Sequence, residues 1–267
     1  MNLETKNLTT GYDKKVIIND LDISIQQGKI NIIIGSNGCG KSTLLKNIAR
    51  LQRPMSGSIM LDSRDVHSYE SKEFARKLGL LPQSPVVPEG ISVFDLVTRG
   101  RFPYRKFMSN LKDEDYTAVN SALSLVGITE LADRHIDELS GGQRQRVWIA
   151  LALAQETDIL LLDEPTTYLD IQYQIEILDL LFELNRTKGT TVVMVLHDIN
   201  LSSRYGDYIF ALKEGKLVAQ GDPKKIITKD LMKEVYELNC IIIPDPLTQD
   251  PMVIPIGKHS STKQIKR

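Results

Sequence analysis

The chain has 267 residues, with 33 Lys and Arg against 34 Asp and Glu and a formal net charge of -1 at pH 7. With 42% hydrophobic and 25% charged residues it has ordinary globular composition, enough for one domain with an inserted lobe, and the lack of a basic excess argues against a dedicated nucleic-acid binder. Two cysteines, Cys39 and Cys240, form no C-x-x-C pair and no disulfide framework, which suits a reducing cytosol.

The opening "MNLETKNLTT" lacks the charged and apolar regions of a secretion signal. The longest apolar runs, such as "ILLL" and "TVVMVL", fall far short of a bilayer span, so the chain is expected neither to leave the cell nor to cross a membrane by itself. Residues 7–28, "NLTTGYDKKVIINDLDISIQQG", alternate apolar and polar with turn residues between, which predicts a small antiparallel sheet. Tyr12 in this loop offers a ring that can stack on a purine, with Val16 against its other edge. A surface tyrosine fits the same spacing.

Short β-branched or leucine-rich runs then alternate with longer helical patterns, the signature of a parallel sheet covered by helices, so the fold class is α/β. Three runs read as buried strands: "KINIIIG" (29–35), "DILLLDE" (158–164) and "TTVVMVLH" (190–197). Each carries polar residues at its C-terminal end, the edge at which open α/β sheets bind ligands.

The first of these runs into "GSNGCGKST", residues 35–43, which matches G-x-x-x-x-G-K-[ST] between a strand and a helix. Gly35, Ser36, Asn37, Gly38, Cys39 and Gly40 form a loop whose backbone N–H groups can cradle phosphates. Lys41 reaches the β- and γ-phosphates, the Ser42 hydroxyl is a Mg2+ ligand, and Thr43 opens the helix. A magnesium phosphate site needs a carboxylate at the end of a neighbouring strand. "ILLLDEP" supplies Asp163 for the metal and Glu164 to orient or deprotonate the attacking water.

Gln83 ends the apolar run "LGLLPQ" and can ligate Mg2+ or hold a water, although a turn glutamine satisfies the same pattern. His197 ends the third strand and can reach a γ-phosphate oxygen, although a boundary histidine also fits. From Gln83 to about Gln155 the pattern turns helical, entered through the proline-rich "SPVVPEG". The chain is therefore expected to be one ATP-binding domain, with residues 1–82 and 156–267 as the nucleotide-binding core lobe and 83–155 as an inserted helical lobe.

"LSGGQRQR", residues 139–146, stands before a helical stretch and offers backbone donors at a helix N-terminus. The loop at 35–43 already serves one nucleotide. The economical expectation is a two-fold pair in which Ser140, Gly141, Gly142 and Gln143 of one chain face the γ-phosphate on the other.

Together these motifs resemble, in order and over nearly the whole chain, the ATP-binding subunit of an ATP-binding-cassette (ABC) transporter. Residues 35–43 match the Walker A loop, Gln83 the Q-loop, 139–143 the signature, 159–164 the Walker B strand and His197 the switch histidine. "TTYLD" (166–170) resembles the D-loop, with Asp170 matching its aspartate and Tyr168 standing where a small residue is commoner. That aromatic, "RGRFPY" (99–104) and the ending "CIIIPDPLTQDPMVIPIG" are similar to importers of ferric siderophores and vitamin B12.

The resemblance implies a P-loop ABC ATPase that dimerises on two MgATP at the cytoplasmic face of the membrane. It implies a separate integral permease as partner, contacted near residues 84–105 with Phe102 and Tyr104 as candidates, and indirectly a substrate-binding protein. Iron(III)-siderophore, haem or cobalamin uptake is the expected work. The competing readings are a soluble non-transport cassette ATPase, such as an iron-sulfur cluster assembly subunit, and a DNA-repair or translation cassette protein. The basic ending "KHSSTKQIKR" reads as a solvated tail.

Overall fold

A computed structural model describes residues 1–13, 15–83, 89–106, 109–167 and 169–257. In chain order, β1 (Leu3–Tyr12) and β2 (Lys15–Ile25) precede β3 (Ile30–Gly35) and α1 (Lys41–Ile48); β4 (Ser56–Leu61), β5 (Arg64–Asp65), α2 (Ser71–Lys77) and β6 (Leu78–Leu81) follow. The helices α3 (Val93–Thr98), α4 (Asp113–Leu125) and α5 (Gly141–Ala154) come next. The chain then returns through β7 (Ile159–Asp163), α6 (Ile171–Lys188), β8 (Thr191–Val195), α7 (Ile199–Tyr205), β9 (Tyr208–Lys213) and β10 (Lys216–Gly221). It closes with α8 (Pro223–Ile226), α9 (Lys229–Tyr236), β11 (Cys240–Pro244) and β12 (Pro251–Pro255).

The six-stranded sheet runs β10-β9-β3-β8-β7-β6. Its pairings are parallel from β9 to β6, and only the edge strand β10 is antiparallel. The three runs read as buried strands are β3, β7 and β8, and every residue of each is buried. Burial on both faces explains why these strands are continuously apolar rather than alternating. Along β3, Ile32 and Ile34 pack into the cluster shared with α5, α6 and α7, whereas Ile33 faces the cluster holding α1.

The expected antiparallel sheet is four strands, β2-β1-β4-β5. Its Leu3, Leu8, Ile18 and Ile59 share a core with Leu44, Leu45 and Ile48 of α1, so the helix that opens behind the phosphate loop is packed from two sides. The C-terminal segment is the expected hairpin, β11 paired with β12, and the Asn200 side chain clamps it to α7 through both the N–H and the carbonyl of Val253.

One expectation needs correction. The acidic strand β7 is not the neighbour of β3, because β8 lies between them. The carboxylate therefore approaches from two strands away, and the strand that leads to His197 occupies the centre. His197 itself sits two residues beyond the end of β8.

The helical stretch expected from Gln83 to Gln155 contains α3, α4 and α5, packed on one another through Val93, Val97, Val119, Leu123, Val147 and Ala150. "RGRFPY" forms a short 3-10 turn, Arg99–Tyr104, and both its second and third residues are structural. A Cβ on Gly100 would lie 2.4 Å from the Leu151 carbonyl of α5, so only glycine permits this approach. Arg101 is buried, with Nε donating to Asp115 at 3.0 Å and Nη1 to Glu156 at 2.7 Å and to the Ala154 carbonyl. The linker residues 84–88, Tyr168 and the basic tail from 258 lie outside the described residues.

Candidate active site

The phosphate loop turns at Gly35, where φ is 153° and a Cβ would stand 2.3 Å from the Leu212 carbonyl of β9. A side chain there would push the loop off the sheet. The loop then closes on itself: Cys39 N–H donates to the Ser36 carbonyl, and the Lys41 ammonium donates to the carbonyls of Gly35 at 2.9 Å and Ser36 at 3.0 Å. Lys41 is buried, and its charge is satisfied by these loop carbonyls. The Cys39 thiol lies in the core beneath the loop rather than in the cleft, and burial pushes its pKa up.

A cleft of about 270 Å³ lies over the loop, lined among others by Tyr12, Asn37, Gly38, Gly40, Lys41, Ser42, Thr43, Glu164 and His197. Tyr12 is 48% exposed at its rim, an open ring where a purine could stack. The other wall is Ile17; Val16 is equally exposed and does not line the cleft. The alternation of β2 accounts for this, since neighbouring residues of a strand point to opposite faces.

At the floor of the cleft the Ser42 hydroxyl donates to Asp163 Oδ1 at 2.9 Å. Asp163 is buried, and desolvation pushes its carboxyl above the usual range despite the opposing Ser42 bond. A hydroxyl and a carboxylate converging at the cleft form a hard-oxygen pair that suits Mg2+, which characteristically shares its remaining ligands with phosphate and water. Among the described residues no group of three or more His, Cys, Asp or Glu could cage a metal. The fit rests on the serine and aspartate.

Glu164 stands one residue further, at φ 55°, a left-handed conformation uncommon outside glycine and one that clusters at functional sites. Three side chains hold its carboxylate. His197 Nε2 approaches Oε1 at 2.6 Å; Gln83 Nε2 donates to Oε2 at 2.6 Å, and Thr167 Oγ1 donates to Oε2 at 3.0 Å. Gln83 thus meets the Glu164 carboxylate through its amide nitrogen, and the expected Mg2+ role would fall to its amide oxygen. Thr167 lies inside "TTYLD", the stretch that resembles the D-loop, and nothing in that resemblance singles it out.

The signature residues are elsewhere. Ser140 caps α5, its Oγ accepting from Gln143 N–H at 3.3 Å while Gln143 Oε1 accepts from Ser140 N–H at 3.0 Å, a reciprocal capping box. Ser140 and Gly141 are exposed, and none of residues 140–143 lines the phosphate cleft of its own chain. Asp170 caps α6 without a side-chain bond and is likewise exposed outside the cleft. The sequence-derived set therefore divides into a cleft group and an outward group.

A second cleft on the helical lobe is lined by Asp95, Arg99, Phe102, Arg105 and Tyr116, among others. Phe102 is 67% exposed there. Tyr104 is turned inward instead, its hydroxyl donating to the Gln155 carbonyl at 2.9 Å. No described helix is long and apolar enough to cross a membrane.

Residues 18–167 match the family described as ABC transporter. Among curated relatives, the petrobactin import ATP-binding protein FpuD of Bacillus anthracis is 51% identical over 96% of this chain and 94% of its own length. The ferric enterobactin transport ATP-binding protein FepC of Escherichia coli is 50% identical over the same shares. The iron(3+)-hydroxamate import ATP-binding protein FhuC of Bacillus subtilis is 44% identical over 98% of each chain. Among solved structures, a chain of a metal-chelate type transporter in an inward-facing conformation aligns with TM-score 0.82 at 30% identity, covering 96% of this chain and 97% of that one. The dimeric cassette MJ0796 aligns with TM-score 0.72 at 31% identity over 82% of this chain and 98% of its own.

Proposed function

Because this chain belongs to the ABC transporter family, as an ATP-binding subunit and an ATPase, we propose that it powers import of iron(III)-siderophore chelates through a separate membrane permease. The observation that carries the catalytic part is the division of the site. A phosphate loop with a metal pair and a held carboxylate share one cleft, while a second set of helix-N-terminal donors faces outward from the same chain. Two copies in a two-fold arrangement would bring each signature onto the other's nucleotide, with Asp170 alongside. The dimeric relative supports this arrangement.

In that pair, Tyr12 and Ile17 take the adenine and the loop N–H groups take the phosphates. Lys41 exchanges the Gly35 and Ser36 carbonyls for β- and γ-phosphate oxygens. Mg2+ supplies charge neutralisation across those phosphates, and Ser42 and Asp163 are the residues that would hold it. Glu164 orients and deprotonates the attacking water, while His197 and Gln83 keep its two oxygens aimed. The partner's Ser140 to Gln143 segment stabilises charge on the γ-phosphoryl group as it passes from ADP, the leaving group, to water. Nucleotide shared between two chains closes the pair; hydrolysis and phosphate release open it.

The cleft with exposed Phe102 is the proposed seat of the permease, placing this chain at the cytoplasmic face of the membrane as a peripheral subunit. Tyr104, half-buried with its hydroxyl bonded to the Gln155 carbonyl, offers that contact less surface than Phe102. A substrate-binding protein would act through the permease and not touch this chain, and no nucleic acid enters. The import and transport relatives favour this reading over a soluble iron-sulfur assembly ATPase. Uptake of radiolabelled ferric siderophore by cells lacking this chain tests the cargo. Uptake should be lost, restored by the wild type and not by Lys41→Ala; undiminished uptake in the deletion strain contradicts the iron assignment.

A further inference from the structure

Gln145 is the fifth residue of α5, one turn beyond the signature cap, and its side chain leaves its own helix. Nε2 donates to the Pro165 carbonyl at 2.8 Å, across a separation of 20 residues and from the helical lobe to the core lobe. Pro165 follows Glu164, the left-handed residue whose carboxylate His197, Gln83 and Thr167 hold. Four residues back along the same helical turn from Arg144, Ser140 is locked to Gln143 by the capping box and to Arg144 N–H by its carbonyl. A displacement of the Ser140 cap therefore moves Gln145 as part of one rigid turn, and Gln145 pulls on the peptide beside the catalytic carboxylate.

The neighbouring anchors do not duplicate this link. Arg146 pairs with Glu176 on α6 and stacks over Tyr173, and Arg144 binds the Ile136 and Asp137 carbonyls, so both brace α5 without touching the residues around Glu164. The Gln145 bond is the direct tie from α5 to the Glu164–Pro165 segment among the hydrogen bonds described.

We infer that Gln145 is a positioning residue that couples the two nucleotide sites of the pair: engagement of one chain's signature by the partner's ATP sets, through Gln145 and the Pro165 carbonyl, the aim of that chain's own Glu164. This rests on the reading that the signature acts on the partner's nucleotide. Its consequence is that hydrolysis at one site depends on occupancy of the other, with the coupling carried in part by a single amide donor.

The test is the ATP dependence of steady-state hydrolysis by the purified full-length chain. Gln145→Glu keeps the shape and removes the donor, placing a carboxylate oxygen against the Pro165 carbonyl. It should lower kcat about tenfold and bring the Hill coefficient to about 1, with ATP affinity measured in the absence of turnover unchanged. Gln145→Lys restores a donor within reach of the same carbonyl and should recover most of the rate and the sigmoidal response.

A Gln145→Glu enzyme with wild-type kcat and Hill coefficient overturns the inference. So does a loss in which the Lys variant fares no better and non-turnover ATP affinity falls as well, because a packing role alone produces that pattern. Mixing Ser140→Arg with Lys41→Ala chains separates the two levels. In that mixture the intact site's Glu164 belongs to the Ser140→Arg chain, whose own signature is disabled, so the coupling predicts a rate about tenfold below the roughly one quarter of wild type that the shared-site reading alone allows. A mixture at about a quarter of the wild-type rate overturns the coupling alone; a mixture no more active than its components overturns the shared-site reading and the coupling with it.

Discussion

His197 Nε2 lies 2.6 Å from Glu164 Oε1, joining the segment just beyond β8 to the residue after β7 across the mouth of the phosphate cleft. The contact arises because β7 and β8 are parallel neighbours, so their C-terminal ends open side by side on the same cleft. His197 thus meets the Glu164 carboxylate directly.

Glu164→Gln keeps the volume and the Gln83, Thr167 and His197 neighbours but removes the base. Steady-state hydrolysis should fall by at least ~10²-fold while ATP affinity is largely retained, since the carboxylate serves the water and not the bound phosphates. Comparing turnover with equilibrium nucleotide binding in the purified variant decides it; unchanged turnover would remove Glu164 from the mechanism. His197→Ala should lower kcat with a smaller change in ATP binding, since the carboxylate keeps its Gln83 and Thr167 donors.

Arg101 and Asp115 form a buried pair at 3.0 Å within the helical lobe. Removing one partner leaves an uncompensated buried charge, so Arg101→Ala should cost about 3 kcal/mol of stability. A double change to Arg101→Met with Asp115→Leu should recover much of that, a difference that denaturant titration of the three proteins measures.

The same pair sets an acid limb. Burial raises the Asp115 carboxyl, but the Lys112 N–H and the Arg101 guanidinium outweigh it and hold the group below its ordinary 3.8. A carboxyl depressed in the folded state contributes stability that is present above its unfolded value and is lost as pH falls through the folded one. Wild-type stability should therefore drop below about pH 4, and Asp115→Asn, less stable at pH 7, should show a shallower loss over that range. Thermal unfolding from pH 7 to pH 3 compares the slopes; parallel curves would contradict the assignment.

Gly100→Ala places a methyl against the Leu151 backbone, which cannot yield as a flexible side chain would. The expected cost is about 2 kcal/mol, lowering Tm by about 4–8 °C for a chain of this size. Scanning calorimetry reads it, and an unaltered Tm would mean that α5 can shift away from the turn.

The phosphate loop, Asp163 and Glu164 were legible because their chemistry is local. A glycine-rich turn between strand and helix, or two acids after an apolar run, carries its own backbone requirement in consecutive residues. Strand order is not local: nothing in the run 190–197 says that β8 enters between β3 and β7, so the sequence alone makes the acidic strand look like a direct neighbour. "RGRFPY" was read as a subgroup mark, but whether Phe102 or Tyr104 faces outward depends on the Gln155 carbonyl, 51 residues from Tyr104. Val16 was named where Ile17 lines the cleft, a one-residue slip that on a strand changes the face. Thr167 and Gln145 escaped because each is defined by what it touches, and no spacing rule marks a side chain that bonds a carboxylate or a distant carbonyl.

The central claim is that each catalytic site is completed by the signature of a second copy. Ser140→Arg and Lys41→Ala should each be inactive alone, the first through the partner's site and the second through its own. A mixed pair holds one site with an intact phosphate loop and an intact signature, so the ATPase rate of the mixture is the decisive measurement. Recovery of measurable hydrolysis, at most about a quarter of the wild-type rate for random pairing, is the predicted result. A mixture no more active than its separate components, with pairing verified, would contradict the claim.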